Sequence, residues 1–241
     1  MKRDFHSWHS PSLGRGMDLL VFGHAGLPFL VFPTSQGRFF EYEDRGMVDA
    51  VRWQLDQGHM QLFCPDSVDA ESWYNKAAHP ADRVLRHMAY ERYIMDELTP
   101  LIRNVNPAAN TAGIVTTGCS FGGYHALNLA LKHPGVFSRC VSMSGAFDMR
   151  PFLSGYFDYN CYFCNPVDYL PQTRDPWFFD RYRESNRFLL AAGEWDICRG
   201  ENQRMADIMQ RKDIPHRLDI WGERAVHDWP LWQRMAQAYF R

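Results

Sequence analysis

The sequence predicts an α/β fold with a mostly parallel central sheet, antiparallel N-terminal strands and helices on both faces. Three observations lead there. Short apolar runs alternate with stretches of helical periodicity, two runs at the start lie close enough to pair with each other, and 241 residues suffice to bury one sheet between helical layers. A single domain spanning residues 1–241 is expected.

Arg3 to Ser10 and Met17 to Gly23 form the opening strand pair, and His24-Ala25-Gly26 turns the chain into the apolar run Leu27 to Phe32. Met47, Val48, Val51 and Leu55 share one helical face between Phe40 and Gly58, with Gly58 placed to cap the segment. A strand at His59 to Cys64 and an irregular loop from Asp66 to Pro80 follow. A second long helix covers Ala81 to Asn104, with Pro100 disturbing its last turn. Then come a strand at Ala112 to Thr117, a helix at Gly122 to His133 stopped by Pro134-Gly135, and a strand at Arg139 to Ser144. Residues 147–186 break the alternation and read as loop crowded with aromatics. Strand Arg187 to Ala192, helix Glu201 to Lys212, strand His216 to Trp221 and helix Asp228 to Phe240 complete the chain, Asp228 and Pro230 suiting a helix start.

Composition excludes some functions. With 26 Lys+Arg against 28 Asp+Glu the net charge is -2, which favours neither nucleic acid nor an anionic membrane as partner. No apolar stretch follows the basic residues Lys2 and Arg3, so neither a secretory signal nor a membrane anchor is legible and a cytoplasmic location is expected. The six cysteines then read as free thiols. Cys161-x-x-Cys164 has the spacing of half a zinc site, but no second Cys/His pair accompanies it, so no metal is expected.

The chemistry points to Gly118-Cys119-Ser120-Phe121-Gly122. Gly-x-Ser-x-Gly alone is a weak signal, but here a predicted strand precedes it and a predicted helix follows, the setting of a sharp turn that exposes a nucleophilic serine in an α/β-hydrolase fold. Such a hydroxyl needs an imidazole to take its proton and a carboxylate to orient the imidazole. In this fold the order is serine, acid, histidine, with the histidine between the last strand and last helix. Of ten histidines only His227 lies there. The acid should follow the penultimate strand, where Asp196 is the first choice and Glu194 its rival. The intermediate's oxyanion needs N–H donors: Phe121, the residue after the nucleophile, and one from Pro33 to Gly37, with Ser35 favoured over Thr34 and Gln36.

These features together resemble the esterase-D-like "putative esterase" family of the α/β-hydrolase superfamily, which includes feruloyl esterases and mycolyltransferases. The residues carrying the resemblance are the nucleophile motif, Ser72-Trp73-Tyr74, Tyr90-Glu91-Arg92-Tyr93-Ile94 through Glu97-Leu98-Thr99-Pro100, and His227-Asp228-Trp229-Pro230-Leu231-Trp232. The resemblance implies Ser120, Asp196 and His227 as a triad, with Ser35 and Phe121 as the oxyanion hole. Pro33-Thr34 replaces the family's usual His-Gly or Asp-Gly. The implied activity is hydrolysis of a carboxylic ester of a small molecule or acylated carbohydrate, without cofactor, with Trp73, Tyr74, Tyr156 and Phe157 as candidate substrate walls. Acyl transfer by the same residues, and ligand binding without turnover, are the alternatives.

Overall fold

The computed structural model describes residues 1–184 and 187–240. Strands β1 (Arg3–Ser10), β2 (Arg15–Phe22), β3 (Leu27–Phe32), β4 (Met60–Pro65), β5 (Ile114–Cys119), β6 (Phe137–Met143), β7 (Arg187–Gly193) and β8 (His216–Trp221) form one sheet in the order β1-β2-β4-β3-β5-β6-β7-β8. β1 pairs antiparallel with β2 and β2 with β4, and every later pairing is parallel, as the sequence predicts.

Side-chain alternation divides the interior into two cores. Leu19, Val21, Leu30 and Phe32 join one cluster and their neighbours Leu20, Phe22, Phe29 and Val31 the other, because successive residues of a strand face opposite sides. The first face is covered by α4 (Pro80–Arg92), α5 (Thr99–Val105), α6 (Phe121–Lys132) and α10 (Arg199–Arg211). The second is covered by α1 (Glu41–Asp44), α2 (Met47–Ala50), α3 (Arg52–Asp56) and α11 (Trp229–Tyr239). Both faces being dry explains why β4 and β5 are buried at every residue instead of alternating.

Three predicted segments differ in detail. The single helix expected over 40–58 is three short ones, since Gly46 adopts a left-handed φ of 70° between α1 and α2; Gly58, at φ 68°, closes the segment as expected. The long helix over 81–104 is interrupted by a π-helical turn at Tyr93–Leu98, one turn before Pro100. Pro100 offers no N–H and its ring crowds the preceding turn, so the ladder widens upstream of it. The aromatic segment is largely helical: a short 3-10 turn (Arg150–Phe152) is followed by α7 (Tyr159–Cys164), α8 (Pro166–Gln172) and α9 (Pro176–Glu184). Asp158 caps α7 through the Cys161 N–H, and prolines open α8 and α9, where a missing N–H costs nothing. Residues 185 and 186 of that segment, and 241 at the end of the expected domain, lie outside the described residues. Among the described residues no helix is long and apolar enough to cross a membrane.

Glu91 ties α4 to the end of α6 by accepting from Lys132 and lying 2.7 Å from His133 Nε2. Burial opposes its ionisation, but the hydrogen bond from His133 and the charge of Lys132 outweigh it and hold the carboxyl at about 2, below the ordinary 4.5. A depressed carboxyl stabilises the fold fully above its unfolded value and loses that contribution as pH falls toward the folded one. The melting temperature should therefore fall between pH 4.5 and pH 2. In Glu91→Gln it should start lower at neutral pH and approach the wild-type value across that window.

Candidate active site

Cys119 ends β5 and Phe121 begins α6, so Ser120 is alone in the turn between them, at φ 55° and ψ -118°. This conformation is strained for a residue with a side chain, and it persists because the surroundings hold it. The Ser120 N–H donates to the Met143 carbonyl at 2.9 Å, while the Ser120 carbonyl accepts from Gly123 at 3.0 Å and Ala146 at 3.3 Å. Strand and helix approach so closely that a Cβ on Gly118 would lie 2.4 Å from the Gly122 carbonyl carbon, and one on Gly122 2.3 Å from the Phe32 carbonyl oxygen. Both obstacles are backbone and have nowhere to move. Gly122→Ala should destabilise the protein by several kcal/mol, on the order of the larger overpacking penalties, measurable by denaturant titration.

His227 lies in the connection from β8 to α11. Its Nε2 is 2.9 Å from Ser120 Oγ and its Nδ1 is 2.8 Å from Asp196 Oδ1. A carboxylate only accepts, so the ring proton belongs on Nδ1, which leaves Nε2 to accept from the serine hydroxyl. Asp196 sits beyond β7 with its side chain wholly buried, whereas the imidazole keeps 16% exposure. Burial opposes ionisation of Asp196, but hydrogen bonds from His227, Ser144 and the Cys198 N–H prevail and hold its carboxyl below the ordinary carboxylate range. The rival Glu194 is exposed and accepts from the Arg224 N–H at 3.2 Å. Of the two carboxylates, Asp196 is the one brought to His227.

Phe121 is the first residue of α6, so its N–H has no partner within the helix. In the turn after β3, Thr34 gives its N–H to Glu41 Oε2 at 2.8 Å and its hydroxyl to Glu41 Oε1 at 2.7 Å. That commits one alternative donor. Gln36 is exposed at a left-handed φ of 58°, and no protein acceptor meets the Ser35 N–H among the described residues. Ser35 Oγ accepts from the Tyr74 hydroxyl at 2.6 Å, and the Tyr74 ring stands edge-on to Phe121 at 5.3 Å. Tyr74 thus touches both candidate oxyanion residues.

The other candidate wall residues scatter. Trp73 is fully enclosed beside His87, Tyr124 and Phe152. Tyr156 donates to Asp158 at 2.8 Å and meets the His79 ring, and Phe157 is exposed. From the aromatic segment it is Phe152 that reaches the Tyr74 and Phe121 rings, at 5.1 and 5.5 Å. Tyr162, Phe163, Tyr169 and Phe178 instead line a cavity of about 350 Å³ beside Leu131 and Lys132, at the end of α6 opposite Ser120. A period-based reading cannot distinguish these two populations of aromatics, since their separation is tertiary.

Two further contributors lie outside the predicted set. Ser144, just past β6, donates its hydroxyl to Asp196 Oδ2, and Trp232 Nε1 donates to Ser144 Oγ at 2.8 Å while its ring stands edge-on to His227 at 5.0 Å. The position of Ser144 at the carboxyl end of a strand next to the acid's own was the available sequence signal. As for metals, Cys161 and Cys164 are buried free thiols. Among the described residues one group of three ligand types is close enough to hold an ion, Asp196, Cys198 and His227, with ligand atoms within 4.8 Å of one another. Two of these are already bonded to each other, and burial pushes the Cys198 thiol up to about 12.

The fold is that of an α/β-hydrolase of the esterase-like kind. The family model described as "Putative esterase" matches residues 62–238, and the chain belongs to that family. Similar solved structures include a ferulic acid esterase (17% identity, TM-score 0.77, covering 98% of this chain and 95% of that one). An S-formylglutathione hydrolase from Agrobacterium tumefaciens is similar at 16% identity and TM-score 0.76, with 99% and 92% covered. Fluorophosphonate-binding serine hydrolase F of Staphylococcus aureus gives 16% identity and TM-score 0.72, with 98% and 96% covered. No curated protein matches the chain significantly by sequence.

Proposed function

We propose that the protein is a serine hydrolase that cleaves a carboxylic ester through an acyl-enzyme on Ser120. The hydrogen-bonded chain from Asp196 through His227 to Ser120, at 2.8 and 2.9 Å, carries this reading. His227 Nε2 takes the hydroxyl proton as Oγ attacks the acyl carbon. The tetrahedral oxyanion is met by the N–H groups of Phe121 and Ser35, and Asp196 stabilises the imidazolium without taking its proton. The imidazolium then protonates the departing alkoxide, giving an alcohol and the acyl-enzyme. Water, deprotonated by the same imidazole, attacks the ester carbon, and the imidazolium returns that proton to Oγ as the C–Oγ bond breaks, releasing the acid and regenerating Ser120 and the neutral imidazole. Every proton and charge in this cycle is handled by side chains and backbone amides of the chain itself.

The substrate class is a small-molecule or acylated carbohydrate ester. Tyr74 and Phe152, packed around the Phe121 ring of the residue after Ser120, supply half-buried aromatic surface of the kind that recognises an apolar group or a sugar face. The test is fluorophosphonate labelling of the folded protein followed by turnover of an activated-ester series. Mass increase on Ser120 with ester turnover supports the proposal, and neither signal across the series refutes it. Product partitioning in the presence of an alcohol would expose acyl transfer by the same intermediate.

A further inference from the structure

We propose that Ser144 and Trp232 form a positioning relay for the acid: Trp232 sets the direction of the Ser144 hydroxyl, and that hydroxyl fixes the Asp196 carboxylate so that Oδ1 stays aimed at His227. The inference rests on the serine-hydrolase reading above and assigns work to two residues outside the triad.

Hydrogen-bond polarity carries the argument. An indole N–H can only donate, and a serine hydroxyl has one proton to give. Trp232 Nε1 lies 2.8 Å from Ser144 Oγ, so Oγ must accept there. The single hydroxyl proton is left for the short contact to Asp196 Oδ2. On the carboxylate itself, Oδ1 is shared by the His227 ring and the Cys198 N–H at 2.7 Å, whereas Oδ2 has Ser144 and only a long contact of 3.5 Å from the Gly193 N–H. Among the described residues Ser144 is thus the one short partner of Oδ2. Ser144 is fully buried and Trp232 nearly so, which keeps water from substituting for either donor.

The backbone is arranged to place this hydroxyl. Ser144 adopts a left-handed φ of 55°, and its N–H donates to the Ala191 carbonyl of β7 at 2.6 Å, locking the end of β6 to the strand that leads to the acid. Its neighbour Met143 accepts the Ser120 N–H. Two adjacent residues therefore anchor the nucleophile and the acid. Trp232 closes the set by standing edge-on to the imidazole, so that one indole touches the base directly and the acid through a hydroxyl.

The test compares Ser144→Ala, Ser144→Gly and Trp232→Phe. Glycine tolerates the left-handed backbone, so it removes the hydroxyl without strain even if the alanine variant folds poorly. Both Ser144 variants should lower kcat about tenfold with KM little changed, the scale of one hydrogen bond to a charged group. Trp232→Phe should lower kcat about threefold in wild type and have almost no further effect once Ser144 is glycine, as expected for coupled residues. A turnover-independent readout is the downfield proton NMR resonance of His227 Nδ1–H bonded to Asp196, which should move in each single variant. If that resonance moves while Ser120→Ala keeps full activity, the hydrolase reading fails and the relay stands. If Ser144→Gly keeps wild-type kcat and an unmoved resonance, the relay is overturned.

Discussion

Ser120→Ala is expected to abolish fluorophosphonate labelling and to lower kcat for activated esters by roughly four to six orders of magnitude, the range for removing a triad nucleophile. The size follows from the geometry. With Oγ gone, His227 Nε2 has no hydroxyl to deprotonate, and the attacking group must be an unpositioned water. Residual catalysis should survive through the donors at Ser35 and Phe121, so the variant is expected to bind substrate with KM little changed. Stability should not fall, since alanine removes one oxygen and relaxes none of the contacts holding the turn. Mass spectrometry after labelling, together with steady-state kinetics, checks both halves of the expectation.

Asp196→Asn is expected to lower kcat by about four orders of magnitude, while Glu194→Gln changes it by no more than about twofold. Asparagine preserves the shape of the side chain but offers an NH₂ group where a carboxylate accepted. Either that group faces His227 Nδ1, which must then be unprotonated, or the amide carbonyl does so and the NH₂ confronts the Ser144 hydroxyl. The first choice leaves Nε2 protonated and unable to act as base. Glu194 is exposed, and among the described residues its carboxylate accepts only the Arg224 N–H, so its neutralisation disturbs a surface loop alone. Equal losses in the two variants would contradict the assignment of the acid.

The elements that were legible in the sequence are those whose signal is local. β5 and α6 announce themselves by an apolar run, two close-approach glycines and a helical period, and Ser120 falls at their junction. His227 follows from its place between the last strand and the last helix. Asp196 is the first choice in the sequence but Glu194 stays its rival, because the choice depends on which side chain turns inward in the first three residues past β7. Ser35 is favoured over Thr34 in the sequence without a local reason to exclude Thr34, whose N–H is taken by Glu41, seven residues on. The aromatic segment misled most. Its proline and aromatic content masks three helices, and its richest cluster covers the end of α6 opposite Ser120, while among its described residues Phe152 is the one whose ring meets Phe121. For Ser144 the sequence offers only its place at the end of a strand, because its importance lies in a left-handed backbone and in a tryptophan 88 positions away.

The strand order has a consequence for how the molecule is made. From β5 onward each new strand adds to the outer edge of the sheet in chain order, β5 to β6 to β7 to β8. A chain emerging in sequence can extend its sheet outward without threading back between strands already paired. The proposed nucleophile is then in place, with its elbow closed against β3 and β6, well before β8 and the loop carrying the proposed base have been synthesised. Reactivity would then await β8 and α11, so a chain made only through α6 carries a serine of ordinary inertness, and the appearance of esterase activity reports that this strand and helix have docked.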